Sequence, residues 1–293
     1  MKVDKNAIGS DIARSRRQYF ARLIVDKIIR AFRLNSPSLF KTEFYQRWSP
    51  ECFIPTKIGK IKMVAGHGRL VWRAQTFYTE EPQTVDWLDK LKSSDVLWDI
   101  GANVGIYSLY AAGVRRCRVV AFEPEPNNFS ILMQNVCLNN LYKKIMLCNC
   151  PVSSKNMPST FQISLLTKGG AFNKFTENKY KIRKSSKIQI QSFGFSLDNL
   201  IKSKLFPKPT HIKIDVDGNE DKILSGAKVA LQDKSLRSLL IEMEEKNKEH
   251  QKSLRLLSKS GFKIEKKRSN WESRKNKKNM LLSPGVNYIF SRY

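Results

Sequence analysis

Acidic residues are scarce in this chain of 293: 26 Asp and Glu stand against 53 Lys and Arg, for a formal charge of +27. Cysteine is scarce as well. The five, at positions 52, 117, 137, 148 and 150, are odd in number and show no C-x-x-C spacing, which argues against a disulfide framework and a zinc ribbon. No apolar run approaches the roughly 18 residues needed to span a bilayer. The first residues, MKVDKNAIGSDIARSRRQ, lack the apolar stretch and small-residue cleavage site of a secretory signal. The expected location is therefore the cytoplasm, with inert, reduced thiols. No G-x-x-x-x-G-K-S/T occurs, so a P-loop is excluded, and no internal repeat is found. Eleven Pro and 14 Gly, with 41% apolar residues, describe a globular chain.

The positive charge is unevenly spread. Residues 14–33, 168–187 and 263–278 each carry a net +6, whereas residues 95–150 carry +1. Clustered basic charge suits phosphate-bearing partners or an anionic membrane surface; solvated lysine-rich faces give the same pattern. Residues 10–33 read as a basic amphipathic helix, with Ile12, Tyr19, Leu23, Ile24, Ile28, Ala31 and Phe32 near helical period. Such a helix packs onto its domain or lies against a membrane, which makes peripheral membrane contact through residues 10–33 an expectation.

Along the chain, residues 58–64 and 69–73 look like two short strands around Ala65-Gly66-His67-Gly68. From Asp95 the pattern becomes regular. Strands are expected at 96–98, 118–122, 144–149, 211–216, 236–243, 262–266 and 286–291. Helices are expected at 105–113, 128–138, 220–231 and 249–260. A polar, Lys-rich excursion of hairpin or loop fills roughly 153–187, within a basic insertion near 153–192. Strands alternating with helices predict an α/β fold, a doubly wound and mostly parallel sheet. An N-terminal extension, residues 1–92, precedes that domain, residues 93–293.

The sharpest feature is Asp99-Ile100-Gly101-Ala102-Asn103-Val104-Gly105, directly after a strand and opening a helix. Gly101 permits a tight turn, Gly105 permits close helix–strand packing, and Asn103 tolerates a positive φ. Glu123 lies at the end of the next strand, where an acid accepts hydrogen bonds from ribose hydroxyls. Asp99 would set a carboxylate beside a pyrophosphate, a repulsion of about 1–4 kcal/mol at 4 Å. S-adenosylmethionine has no phosphate; it carries an ammonium, a sulfonium and a carboxylate. Asp99 would attract its cationic end while loop N–H groups face its carboxylate.

Farther on, Asp215-Val216-Asp217-Gly218-Asn219-Glu220 stands at a strand's carboxyl end, where open α/β sheets bind ligands. Methyl transfer to a hydroxyl is helped by a carboxylate that removes the proton. Asp215 or Asp217 is the candidate base, with Glu220 assisting. The alternative is a turn at Asp217-Gly218 with Glu220 capping the next helix. The same three acids could hold Mg²⁺, although no third-strand ligand set accompanies them. Glu242, Glu244 and Glu245 follow the next strand at the same sheet edge, where they could contact the acceptor or a metal; as a charged run they read as a solvated helix start. His67 is a candidate for a lid or the acceptor site, His211 and His250 read as structural, and Cys148 and Cys150 as lining beside an adenine.

Three runs together resemble the FkbM family of S-adenosylmethionine-dependent methyltransferases: Asp99-Ile-Gly-Ala-Asn-Val-Gly-Ile-Tyr-Ser-Leu, Ala121-Phe-Glu-Pro-Glu-Pro-Asn-Asn, and Ile212-Lys-Ile-Asp-Val-Asp-Gly-Asn-Glu-Asp, followed by Ile223-Leu-Ser-Gly-Ala. The resemblance covers roughly 95–293. It implies a class I, Rossmann-like methyltransferase fold and O-methylation of a sugar, glycan intermediate or related small metabolite. It also implies that Asp99, Gly101, Ala102, Asn103, Gly105, Glu123 and Pro124 contact the cofactor. Asp217 is a departure, because the family often has Glu there. The competing expectation is an RNA ribose methyltransferase, motivated by the basic clusters and by Phe172, Phe175, Tyr180 and Trp271 among them. Asp215-Val-Asp-Gly, standing where base methylases carry N/D-P-P-Y/F, argues against methylation of a base.

Overall fold

The computed structural model of the chain describes residues 20, 23–24, 50–163, 169–170, 174–176, 188–245, 249–269 and 285–292. The described residues fall into two compact units, divided between Phe77 and Tyr78. In the first, β1 (Glu51–Thr56) and β2 (Gly59–Val64) form an antiparallel hairpin with Thr56 opposite Gly59. Thr56 Oγ1 ties the turn by donating to the Gly59 carbonyl at 2.9 Å and accepting from the Ile58 amide at 3.3 Å. Cys52, Ile54, Ile61 and Met63 alternate onto the buried face, as period-two patterning requires.

This overturns the expected pairing of 58–64 with 69–73. The strand at 59–64 pairs backwards, and Gly68 opens a helix, α1 (Gly68–Glu80). Leu70, Val71, Ala74 and Phe77 are its buried residues, and they recur at helical spacing. A five-residue window around Leu70-Val71-Trp72 is too short to show that period. A second unforeseen helix, α2 (Pro82–Leu88), begins with Pro at its first position, where a missing N–H costs nothing. Of the helix expected at 10–33, Phe20, Leu23 and Ile24 are helical and exposed; the rest lies outside the described residues. Among the described residues no helix is long and apolar enough to cross a membrane.

The second unit is built on a seven-stranded sheet. Its strands are β3 (Val96–Ile100), β4 (Arg118–Phe122), β5 (Ile145–Cys148), β10 (His211–Ile214), β11 (Ser238–Met243), β12 (Lys263–Ser269) and β13 (Val286–Ser291), in the order β12-β13-β11-β10-β3-β4-β5. All pairings from β11 to β5 are parallel, and β13 is antiparallel to both its neighbours. The fold is α/β with a mostly parallel sheet, as expected from the alternating pattern. Every residue of β3 and β10 is buried, as strands covered on both faces should be.

The two faces of that sheet differ. Val96, Trp98 and Ile100 of β3 point into one large apolar core with Val120, Phe122, Ile212, Ile214, Leu239 and Ile241. This core also takes Leu197 and Leu200 from α5 (Leu197–Lys202), Ile223 and Leu224 from α6 (Glu220–Ser225) and Leu257 from α7 (His250–Lys259). Leu97 and Asp99 alternate onto the opposite face, as do His211 and Lys213. There α3 (Ile106–Gly113) packs on β3 and β4. The remaining helix, α4 (Pro126–Leu138), follows β4 and is capped by Glu125, whose side chain accepts from the Asn128 amide at 2.7 Å. The expected helix 220–231 is divided: α6 ends at Ser225, and a single 3₁₀ turn follows at Ala230–Gln232. Gly226 forces the break, since a Cβ there would press on the Ser153 and Ser154 carbonyl oxygens.

The basic excursion contains a small separate sheet. Its strands are β6 (Val152–Ser153), β7 (Met157–Ile163), β8 (Lys174–Thr176) and β9 (Ile188–Ser196), in the order β6-β9-β7-β8. The long β7–β9 antiparallel ladder runs from Met157–Gly194 to Ile163–Ile188. Phe172, Tyr180 and Trp271 of the supposed aromatic interleaving lie outside the described residues.

Candidate functional site

The loop after β3 is organised by backbone conformation. Gly101 and Gly105 sit at φ +82° and +87°, and Asn103 at +52°, all in the left-handed region where Gly and Asn are tolerated. A Cβ on Gly101 would fall on the Asp215 carbonyl oxygen, and one on Gly105 on the Leu132 side chain. The first glycine therefore lets β3 and β10 release their loops side by side, and the second lets α3 approach α4.

The amides of this loop are already engaged. Those of Gly101 and Ala102 donate to the Phe122 carbonyl at 3.0 and 2.9 Å, and that of Gly105 to the Ala102 carbonyl at 2.8 Å. Asn103 N–H donates to Glu123 Oε2 at 2.7 Å, and Val104 N–H to Asn103 Oδ1 at 3.0 Å. The expectation that these N–H groups face a ligand carboxylate is thus corrected: they hold the loop onto the end of β4.

Glu123 is the centre of that arrangement. Its Oε1 accepts from the Glu125 amide at 2.8 Å while Oε2 takes Asn103, and the residue is 5% exposed. Each carboxylate oxygen retains a second lone pair. Burial pushes the Glu123 pKa up to about 8, against the lowering effect of the two amides. Asn103 Nδ2 and Asn128 Nδ2 both donate to the Gly170 carbonyl, at 2.7 and 3.0 Å, and Gly169 N–H donates to Asn128 Oδ1 at 2.9 Å. A short piece of the excursion is thereby fastened over the loop. Asn128 was not singled out from sequence; as the third residue of a helix opening beside Glu123, it had a signal only through its position.

The loop after β10 holds the second set of acids. Asp217 and Gly218 lie at φ +58° and +99° and form the turn. Glu220 is buried, and its Oε1 accepts from the Val216 and Gly218 amides at 3.2 and 3.0 Å. Burial raises its pKa to about 7 against those amides. Glu220 thus shapes the turn from within. Asp215 and Asp217 are partly exposed.

Beneath Asp215 lies a charged cluster that the sequence reading missed. Lys213 is 1% exposed, with Nζ 3.0 Å from Asp215 Oδ2, 3.7 Å from Asp99 Oδ1 and 5.2 Å from the Tyr107 ring centroid. Burial works against its charge, but Asp215, Asp99 and Glu81 outweigh it and raise the Lys213 pKa. Asp99 is fully buried, and its Oδ2 accepts from Ser108 Oγ at 2.6 Å. Glu81, at the N-cap of α2, accepts from Thr84 and Tyr107 hydroxyls, both at 3.0 Å, and burial followed by the charge of Asp215 raises its pKa. Glu242 of β11 also belongs here. Its pKa is raised well above the usual value by burial, then by the charges of Asp215 and Glu81 and by a hydrogen bond with Asp215. The expected solvated start of a helix at Glu242 is corrected: the residue is the last but one of β11, two places after Leu240, which is paired with Lys213. The signal available in sequence was the lysine itself, a charge inside a strand that is otherwise apolar.

These two loops border one cleft, open to solvent, at the carboxyl ends of β3, β4 and β10. Gly101, Asn103, Glu123, Pro124, Asp215 and Asp217 all line it, together with Asn219 and an apolar side of Ile100, Phe122, Val152 and Phe161. Asp99, Ala102, Gly105 and Glu220 lie behind this lining and support it. Cys150 lines the cleft, and Cys148 packs against the core. Three carboxylates and no Lys or Arg are found among the described lining residues, in a chain of charge +27. Such a wall suits a cationic ligand and disfavours a pyrophosphate. Asn219 Oδ1 is buried with no hydrogen-bond partner, an oxygen awaiting a donor. These features fit the ammonium, sulfonium and ribose hydroxyls of S-adenosylmethionine. No group of three or more His, Cys, Asp or Glu among the described residues is arranged to hold a metal ion.

His211 lies at the opposite end of β10. Its Nδ1 is 2.6 Å from Ser238 Oγ and its Nε2 3.2 Å from Asp95 Oδ2, with Arg237 on the other Asp95 oxygen. Burial lowers its pKa to about 4. The imidazole closes the lower edge of the sheet. His250 is buried against Tyr288. His67 belongs to the first unit, where the Arg69 amide donates to its Nδ1 at 3.3 Å.

The profile of the methyltransferase FkbM domain matches residues 99–264, more than half of the chain. The hexuronic acid methyltransferase AglP of Haloferax volcanii is 28% identical over 173 residues, which are 59% of this chain and 66% of AglP, just under two thirds of its length. The methyltransferase sdnD of Sordaria araneosa is 25% identical over 207 residues, 62% of this chain and 78% of its own. Among solved structures, a precorrin-6y methyltransferase of Geobacter metallireducens aligns over 72% of this chain and 85% of its own at 16% identity, with a TM-score of 0.42.

Proposed function

The chain belongs to the FkbM methyltransferase family, and we propose that it transfers the methyl group of S-adenosylmethionine to a hydroxyl of a sugar, glycan intermediate or related small metabolite. The observation that carries this reading is a cleft whose described lining holds three acids and no Lys or Arg, in a strongly basic chain. The cofactor supplies an electrophilic methyl on a sulfonium. In this reading Glu123 receives the ribose hydroxyls, Asn219 Oδ1 takes a donor from the ligand, and the apolar side formed by Phe122 and Phe161 excludes water. With the cofactor bound, the acceptor oxygen would take the methyl group and the bond's electron pair would stay on sulfur. The hydroxyl proton passes to the Asp215 carboxylate. Proton removal of this kind contributes about 10²–10⁴-fold to rate, and holding the two reactants in line contributes more.

AglP, by its name, methylates a hexuronic acid, which supports a sugar as acceptor here. The experiment is transfer of a tritiated methyl group from S-adenosylmethionine into host extract divided into glycan, lipid, protein and RNA pools. Label in the glycan or small-metabolite pool supports the proposal. Label confined to RNA, with affinity falling steeply with salt, replaces it with the ribose-methylating reading.

A further inference from the structure

Lys213 has no place in the function proposed above, yet it is a cation buried at the site, 1% exposed. It stands on β10 two residues before Asp215, so both side chains emerge on the same face of the sheet. Its ammonium lies 3.0 Å from Asp215 Oδ2 and 3.7 Å from Asp99 Oδ1. Asp99 is fixed in turn by Ser108, and the Tyr107 ring closes one side of the ammonium. A lysine left in the interior with this surrounding is held in a single position.

The groups facing Asp215 are otherwise acidic. Glu242 approaches from β11, Glu81 from the start of α2, and Asp217 and Glu220 from its own loop. Carboxylates this close cannot all be ionised, because like charges favour protonation of some members. Which of them is kept ionised depends on which one touches the cation. Lys213 contacts Asp215 at hydrogen-bond distance, and Asp215, like Asp217, lines the cleft. Glu242, hydrogen-bonded to Asp215, is placed to keep the proton that Asp215 lacks.

We propose that Lys213 is a positioning residue for methyl transfer, holding Asp215 as an oriented carboxylate at the floor of the cleft while its acidic neighbours stay protonated. The inference rests on the proposed O-methyl transfer for its catalytic meaning and on the observed contacts for its electrostatic content. It predicts that a neutral side chain at 213 shifts the Asp215 pKa upward and enlarges the protonated fraction, which cannot accept the acceptor's proton.

Both parts are measurable separately. The ligand-free protein, labelled with carbon-13 at aspartate carboxyls, is titrated by NMR, the Asp215 signal being identified by its loss in Asp215→Asn. The Asp215 midpoint is expected to rise by about 1–3 pH units in Lys213→Met and to stay in place in Lys213→Arg. Lys213→Gln, which retains a donor, serves as the neutral variant should Lys213→Met not fold. In the labelled-methyl assay with the accepting glycan pool, turnover of the neutral variant relative to wild type at the same pH is lowest at the acid end and recovers as pH rises, while Lys213→Arg stays close to wild type throughout. An unmoved Asp215 midpoint in the neutral variant overturns the proposal, as does a loss of turnover that is the same at every pH. If the midpoint moves as expected but wild-type protein methylates no glycan or small metabolite, the O-methyl reading fails and the catalytic meaning of Lys213 fails with it; its hold on Asp215 stands.

Discussion

Glu123 gives the cleft a pH dependence whose size follows from its surroundings. Its carboxylate sits 5% exposed between the Asn103 and Glu125 amides, and burial holds its pKa at about 8. A ribose presents two hydroxyl donors, which the ionised carboxylate accepts and the protonated acid accepts poorly. The apparent affinity for S-adenosylmethionine is therefore scaled by the ionised fraction of Glu123. With a pKa of about 8, that fraction is about 1% at pH 6 and about 90% at pH 9, a change of about 90-fold in Kd or about 2.7 kcal/mol. Isothermal calorimetry at pH 6, 7, 8 and 9 reads it directly. The cofactor's own α-amine titrates near pH 8, so the diagnostic quantity is the difference between wild type and Glu123→Gln. The wild type should tighten by nearly a factor of ten per pH unit below pH 7 relative to the variant. Parallel pH curves for the two proteins would refute the assignment of Glu123 to the ribose.

Other consequences follow from the same contacts. Asp215→Asn should lower kcat by about 10²–10⁴-fold with S-adenosylmethionine affinity changed far less, as initial rates and calorimetry would show. Gly101→Ala combines a positive φ with a collision against the Asp215 carbonyl; it should destabilise by at least about 1–3 kcal/mol in urea melts and abolish cofactor binding. Lys213→Met strands buried carboxylates and should cost about 3–5 kcal/mol of stability, measured in the same melts. Glu220 has a folded pKa of about 7 against 4.5 for the free group, so the folded protein keeps a proton that the unfolded chain has lost. Its contribution is fully present below about pH 4.5 and lost as pH rises through 7, an effect of up to about 3 kcal/mol that Glu220→Gln should remove.

What the sequence made legible was the part governed by local pattern. β3, β4, β10, β11 and β13 are mainly apolar runs bounded by polar or glycine-containing turns, and they lie within two residues of where the pattern placed them. The left-handed positions of Gly101, Asn103 and Gly105 follow from residue type alone. Other features depended on partners far away in the chain. Whether β2 pairs with the strand before or the segment after it depends on the helical burial of Leu70, Ala74 and Phe77, which extends past the window that suggested a strand. The engagement of the loop amides by Phe122 and Glu123 is a relation between two loops 20 residues apart. Lys213 and Glu242 become a site only because β10 pairs with β11. The acids Asp215, Asp217 and Glu220 were adjacent in sequence, but the turn between them separates their roles: two face the cleft, and the third bonds the turn's own amides.

The charge also reads differently once placed. A net +27 suggests an anionic partner for the molecule as a whole, yet the cleft is walled by Glu123, Asp215 and Asp217 without a described cation.

The central claim, that this cleft transfers a methyl group from S-adenosylmethionine to a hydroxyl, is tested most directly by mass spectrometry. The glycan pool is incubated with deuterated-methyl S-adenosylmethionine and either wild-type protein or Asp215→Asn matched for cofactor binding. The account predicts a sugar carrying one labelled O-methyl ether with the wild type and little or none with the variant. Labelled product formed equally by both proteins, or label found on nitrogen or carbon instead of oxygen, would contradict it.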